Sequence, residues 1–366
     1  MIQLIHGGDI YSAKENLKDG QEILDFSANI NPLGLPAQVE KVAAQALSRC
    51  VNYPDPLCRS LRKELSIKEG ISQDQIVFGN GAADIIFRLA AVQKPNKALL
   101  LAPTFAEYEQ ALRGVGCDID YHYLKRDQGF SLKEDFLDTL DKSLDMIFLC
   151  NPNNPTGQLI SPKLMKKIIE KCCRHNIFIV IDECFIDFII DSEKHSVKSQ
   201  LENYNKLFIL RAFTKSYAMA GLRLGYGLCN DKILIKKLFD ITQPWSVSLI
   251  AQEAGVQALK EDEYLKESTK LIWKEREILY EKLKGFGYMV YPPAANYIFF
   301  QLKAKKNLAY IEEFQVDLAK EGILIRSCEN YRGLEKGYYR IAIKNPNENQ
   351  KLITALMRRE EQWQKQ

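Results

Sequence analysis

The chain has 366 residues, 46% of them apolar, which is enough to bury a large core and, at this length, to build one big domain with a smaller one beside it. Fifty Lys and Arg side chains against forty-seven Asp and Glu leave a formal charge of +3 with no long run of one sign, so neither nucleic acid nor a membrane surface is an implied partner and a small-molecule ligand is expected. Nine cysteines, an odd set with no C-x-x-C pair, argue against a disulfide framework or a structural zinc site and read as free thiols of a reducing cytosol.

The first residues reach His6-Gly7-Gly8-Asp9 before any apolar run can form, and no stretch of the chain approaches the ~18 apolar residues of a membrane span. Neither export nor insertion is expected, which makes a cytoplasmic protein the expectation. Residues 1–45 are turn-rich, as in Asn29-Ile-Asn31-Pro32-Leu-Gly34-Leu-Pro36, and are expected to form an arm against the smaller domain. A large domain is expected over 46–245. Within it, Gln75–Phe78, Ala98–Ala102, Met146–Cys150, Ile177–Ile181 and Leu207–Leu210 are continuous apolar runs, as strands covered on both faces should be. Helical spacing separates them; Pro162–Cys173 opens on Ser161-Pro162, an N-cap followed by proline in the first turn. The fold class is therefore α/β, a mostly parallel, helix-covered sheet. The texture changes after about 245: a long charged helix over Glu261–Lys284, then short strands at Tyr297–Gln301, Ile323–Arg326 and Tyr339–Ile343, predict a smaller α+β domain over 246–366.

Four motifs fall at the C-terminal ends of these strands, where open α/β sheets place their ligands. Phe78-Gly-Asn-Gly81-Ala82-Ala-Asp84 is a strand, a glycine turn and a helix start, whose backbone N–H groups suit a phosphate or simply make a tight turn. Its G-N-G-A-A-D spacing departs from the nicotinamide fingerprint. Cys150-Asn-Pro-Asn-Asn154-Pro-Thr-Gly157 forms a rigid loop that presents the Asn154 amide, able to donate to a phenolate-like oxygen or to cap the turn. Asp182 ends a buried strand, where a carboxylate needs a cation or a donor: it either meets a protonated pyridine nitrogen or caps the next helix. Thr214-Lys215 follows the next strand and Arg223 comes eight residues later, which suits a Schiff-base lysine and a phosphate clamp. No metal site is expected.

Together these strings resemble the aspartate-aminotransferase fold group of pyridoxal-phosphate enzymes (fold type I), in its histidinol-phosphate aminotransferase branch, over essentially the whole chain. Longer strings resemble the threonine-phosphate decarboxylases of cobalamin biosynthesis within that branch: His6-Gly7-Gly8, Leu24 to Gly34, Phe105-Ala-Glu-Tyr108, Pro244-Trp-Ser-Val247 and Ile325-Arg-Ser-Cys-Glu-Asn-Tyr331. The resemblance implies pyridoxal 5'-phosphate bound covalently by Lys215, with Asp182 at its ring nitrogen, Asn154 at its ring oxygen, and Gly81, Ala82, Thr214 and Arg223 around its phosphate. Phe105 would stack on the ring, with Tyr108 as the alternative. Tyr53 would reach the phosphate in the neighbouring subunit, which implies a homodimer. Phe185 stands where many relatives carry a tyrosine, and Ala212 where they often carry a hydroxyl.

The same resemblance implies decarboxylation of L-threonine O-3-phosphate, with histidinol-phosphate transamination or L-serine O-phosphate as alternatives. Substrate orientation selects the bond that breaks, and the expected anchors for a phosphorylated amino acid are Arg326 and Arg340 on small-domain strands, with Asn154, Asn29, His6 and Gly7. Which arginine meets the phosphate and which the carboxylate stays open, as does His6 as ligand or turn residue.

Overall fold

The computed structural model describes residues 6–15, 17–18, 20–302 and 308–364. Its strands in chain order are β1 (Leu24–Asp25), β2 (Ile76–Asn80), β3 (Lys97–Ala102), β4 (Asp118–Tyr123), β5 (Met146–Cys150), β6 (Phe178–Asp182), β7 (Leu207–Ala212), β8 (Leu224–Cys229), β9 (Met289–Val290), β10 (Tyr297–Gln301), β11 (Ile323–Leu324), β12 (Arg326–Ser327) and β13 (Tyr338–Ala342).

Seven of them form one sheet in the order β2-β8-β7-β6-β5-β3-β4. The β3–β4, β3–β5, β5–β6 and β6–β7 pairs are parallel, whereas β8 runs antiparallel to both its neighbours. The five predicted strands are all in this sheet. The two that the apolar runs did not reveal have plain reasons. β4 is a polar edge strand, Asp118-Ile-Asp-Tyr-His-Tyr123, and β8 carries glycines at 225 and 227 where neighbours come too close for a side chain. A Cβ on Gly225 would lie 2.3 Å from the Ala82 nitrogen, and one on Gly227 2.2 Å from the Phe208 ring. The helix Pro162–His175 joins β5 to β6 as a crossover; Ser161 Oγ caps it by accepting from Leu164 N at 3.3 Å, and Asn176 in the left-handed region ends it.

The C-terminal part packs the 24-residue helix Asp262–Gly285 and the helices Leu308–Lys320 and Pro346–Gln364 around a four-stranded antiparallel sheet, β12-β13-β10-β9. Tyr288, Phe300, Phe314 and Tyr339 lie in its core. The expected single strand over 323–326 is divided: β11 pairs in parallel with β1, while β12 pairs with β13. The N-terminal segment bridges two parts of the molecule. Phe26 O accepts from Ala342 N at 2.8 Å, and Asn31 Nδ2 donates to Ser216 O at 2.7 Å, beside Lys215. Among the described residues no helix is long and apolar enough to cross a membrane.

Candidate active site

The ends of β2, β5, β6 and β7 open on a cavity of about 330 Å³ that the N-terminal segment and the strands β12 and β13 close from the other side. Ala82, Phe105, Asn154, Asp182, Thr214, Lys215 and Arg223 line one side, and His6, Gly7, Asn29, Arg326 and Arg340 the other. Gly81 adjoins the lining as the residue before the helix Ala82–Gln93, at φ 81°.

Asp182 is the last residue of β6 and only 5% exposed. Its Oδ1 accepts from Cys184 N at 2.9 Å and its Oδ2 from Tyr108 Oη at 2.5 Å. It has no cation within ion-pair distance among the described residues, although a buried carboxylate is strongly stabilised by one. Tyr108 corrects the expectation that it could stack on a ring in the cavity. It is fully buried behind the lining, stacked on Phe148 at 4.9 Å, and reaches the site only through Asp182. Phe105 lines the cavity in its place, edge to Tyr108.

Asn154 Oδ1 accepts from Arg340 Nη1 and, at 3.4 Å, from Tyr331 Oη. Those bonds orient the amide and leave Nδ2 as its donor. The loop itself is held by Asn153, whose Nδ2 donates to Pro103 O and Thr156 Oγ1, both at 3.0 Å.

Lys215 sits in a single helical turn, Phe213–Ser216, directly after β7. Burial lowers its ammonium to about 8, helped by the Arg340 and Arg223 guanidiniums. The turn is held from outside by the bond from Ser216 Oγ to the Asp187 carboxylate. Arg223 has a left-handed backbone, φ 60°, that folds its guanidinium over Gly81; a Cβ at 81 would meet Nη2 at 2.6 Å. The first backbone amides of the helix Ala82–Gln93, the Thr214 hydroxyl and this guanidinium therefore face one end of the cavity, a donor set suited to a phosphate.

On the opposite wall Arg340 is 5% exposed; Nη2 donates to Ser27 O at 2.7 Å and the guanidinium lies 5.6 Å from the Tyr297 ring centre. Its Nε and Asn29 Oδ1 are both buried without a hydrogen-bond partner among the described residues. Arg326 donates to Ser327 O and to Asn330 Oδ1, and lies 5.3 Å from the Tyr331 ring centre. Gly7 fits because a Cβ there would fall 2.2 Å from Ser27 O. His6 lies on the cavity with Nε2 3.2 Å from Glu107 Oε1, and burial, then Arg326, Arg340 and Lys215, lower its basicity.

Tyr53 is not brought to this cavity. It is 76% exposed and stacks on Trp245 at 4.2 Å. Conversely, Glu107, Cys184 and Tyr331 line the cavity without having been singled out. Glu107 and Tyr331 stand inside strings already conspicuous in the sequence, and Cys184 follows the acidic pair. Among the described residues no group of His, Cys and acidic side chains could hold a metal ion.

The donor set fits pyridoxal phosphate: a buried carboxylate lacking a cation, a lysine of lowered basicity, an oriented amide and a phosphate cradle at one end. The sequence profile for class I and II aminotransferases matches residues 21–356. The threonine-phosphate decarboxylase of Salmonella typhimurium is 36% identical over 353 residues, covering 96% of this chain and 95% of that protein. Among solved structures, a histidinol-phosphate aminotransferase from Clostridium acetobutylicum is 33% identical with a TM-score of 0.85, covering 93% of this chain and all of that one. An L-threonine-O-3-phosphate decarboxylase from Porphyromonas gingivalis is 25% identical with a TM-score of 0.79, covering 91% and 98%. With the profile spanning nearly the whole length and the motif residues gathered at one cavity, the chain belongs to the class I and II aminotransferase family.

Proposed function

We propose that this chain is a pyridoxal-phosphate-dependent carboxy-lyase that converts L-threonine O-3-phosphate to (R)-1-aminopropan-2-yl phosphate for cobalamin biosynthesis. The observation that carries this reading is the 36% identity with a threonine-phosphate decarboxylase over 96% of the chain.

Lys215 would hold the cofactor, Asp182 its ring nitrogen, Asn154 Nδ2 its ring oxygen, Phe105 its face, and Gly81, Ala82, Thr214 and Arg223 its phosphate. When bound, pyridoxal phosphate supplies an electron sink for the substrate α-carbon bond that stands perpendicular to its ring. The chain decides which bond that is. Two arginines, Arg326 and Arg340, with Asn29, His6 and the close-approach Gly7, hold the anionic groups of the substrate so that the carboxylate, not the α-proton, takes that direction. Lys215, its ammonium lowered to about 8, is poised near neutral pH to deliver the proton that replaces the departing carbon dioxide. The exposed Tyr53–Trp245 stack supports a homodimer in which Tyr53 serves the neighbouring site; a single-species sedimentation run at twice the 42.0 kDa chain mass tests it. Free thiols and the absence of a membrane-crossing helix among the described residues support a cytoplasmic setting.

The test is product identity. Phosphorus NMR of a reaction with threonine phosphate should show aminopropanol phosphate accumulating with no oxo acid added. Serine phosphate belongs in the same experiment, because one methyl group in a pocket is worth only ~1 to 3 kcal/mol. The structural likeness to the Clostridium acetobutylicum protein favours histidinol-phosphate transamination as the second reading. Conversion of histidinol phosphate that depends on 2-oxoglutarate, with threonine phosphate unchanged, would establish it instead.

A further inference from the structure

Two carboxylates on the first turns of one helix, Ala106–Gly114, meet opposite surroundings. Glu109 faces outward, where its Oε1 accepts from Arg113 Nε and Arg332 Nη2, both at 2.8 Å. Partial burial works to raise its carboxyl, but those two arginines override it and hold the group down at about 2. Glu107 turns into the cavity that contains Lys215. Its Oε1 lies 3.2 Å from His6 Nε2, and its Oε2 is buried without a hydrogen-bond partner among the described residues.

The groups that face Glu107 come from four directions: His6 on the N-terminal segment, Asp182 on β6, Lys215 on its helical turn, and Arg326 with Tyr331 from the small-domain side. Burial is the largest influence and Asp182 adds to it; together they outweigh a hydrogen bond from the residue's own backbone N–H, Lys215 and Arg326, and push the carboxyl up to about 7. An ionised Glu107 would also repel a ligand that brings both a carboxylate and a phosphate. A neutral acid presents that ligand with a donor, at the one oxygen that has no partner of its own.

We propose that Glu107 is a further substrate-binding residue: as the neutral acid it donates its Oε2–H to an anionic oxygen of the phosphorylated amino acid, and binding draws that proton from solvent. This rests on the reading that the substrate is a phosphorylated amino acid. The consequence is a specificity element, since an amino acid without the phosphate lacks the charge that keeps the acid protonated. The proton passes from the buffer to Glu107 Oε2, forming its O–H bond and leaving the buffer base, and no bond of the ligand is made or broken.

The probe is 3-phosphonooxybutanoate, the deamino analogue of threonine phosphate, which cannot react with the cofactor. Its binding to the holoenzyme is followed by titration calorimetry at pH 8 in buffers of different ionisation heats, for wild type, Glu107→Gln and Glu107→Leu. At pH 8 the analogue's phosphate is already a dianion, so proton exchange reports on the protein. Wild type should take up roughly nine-tenths of a proton per site, the ionised fraction at pH 8 of an acid that titrates at about 7. Glu107→Gln, which keeps a donor, should bind within about threefold of wild type with that uptake abolished, and Glu107→Leu should bind at least tenfold more weakly. Binding by wild type without proton uptake, or equal uptake in Glu107→Gln, overturns the role of Glu107. Failure of the analogue to bind wild type at all overturns the phosphorylated-substrate reading and this inference with it.

Discussion

Replacing Arg340 by alanine separates substrate anchoring from cofactor binding. In the folded chain its guanidinium donates to Asn154 Oδ1 and to Ser27 O, and its Nε has no hydrogen-bond partner among the described residues, in the cavity wall that contains Asn29 and faces Lys215. Two separate losses are expected. Ser27 O loses its arginine donor, and Asn154 Oδ1 keeps only the long 3.4 Å bond from Tyr331; water entering the polar gap limits the structural cost to about 1–3 kcal/mol. The catalytic loss is that of charge-assisted bonds to the substrate, about 1.5–3 kcal/mol, or roughly ten- to two-hundredfold in kcat/KM. The assay is steady-state turnover of threonine phosphate beside a thermal melt and the visible absorbance of the bound cofactor. The variant should remain coloured, melt a few degrees lower and show a raised KM. A kcat/KM within threefold of wild type, or loss of colour in a protein that melts normally, would refute the assignment of Arg340 to substrate.

Tyr108→Phe removes one of the two donors to Asp182; cofactor retention on dialysis should weaken by about ten- to hundredfold, the worth of one hydrogen bond to a charged group, while the fold is kept. The rate at which the apoprotein captures pyridoxal phosphate should follow the neutral fraction of Lys215. Because its ammonium is lowered to about 8, the rate should rise roughly tenfold between pH 7 and 9 with a midpoint near 8. An unperturbed lysine would instead give about a hundredfold rise with no plateau. Gly7→Ala puts a methyl 2.2 Å from Ser27 O, so the N-terminal segment must shift, and a stability loss of about 1–3 kcal/mol should accompany a higher KM; unchanged melting and kinetics would show that the close approach is dispensable.

The parallel part of the sheet was legible because its strands are buried on both faces and read as unbroken apolar runs, such as Met146–Cys150. β4 and β8 were not, since an edge strand alternates polar residues and a strand pressed against Phe208 and Ala82 must use glycine. Strand ends carried the chemistry, so Asp182, Asn154 and Lys215 could be placed on one crevice from order alone, and the structure puts all three on one cavity. Tyr108 shows where such reading stops: a residue two positions after the helix start is placed by helix rotation, and a tyrosine that points inward meets the carboxylate from behind, not from within the cavity. Glu107, one residue earlier, turns into the cavity. The sequence holds both side chains but not the rotation that tells them apart. Arg326 was expected within one strand, yet the chain changes partner between β11 and β12, a register change that depends on where β1 of the distant N-terminal segment lies.

Carboxyl-labelled threonine phosphate reads directly which bond to the substrate α-carbon the chain exposes. Purified protein loaded with pyridoxal phosphate should release the label as carbon dioxide, one per aminopropanol phosphate formed, without 2-oxoglutarate, and the release should vanish in Lys215→Ala. Label retained in an oxo acid that appears only when 2-oxoglutarate is supplied would contradict decarboxylation.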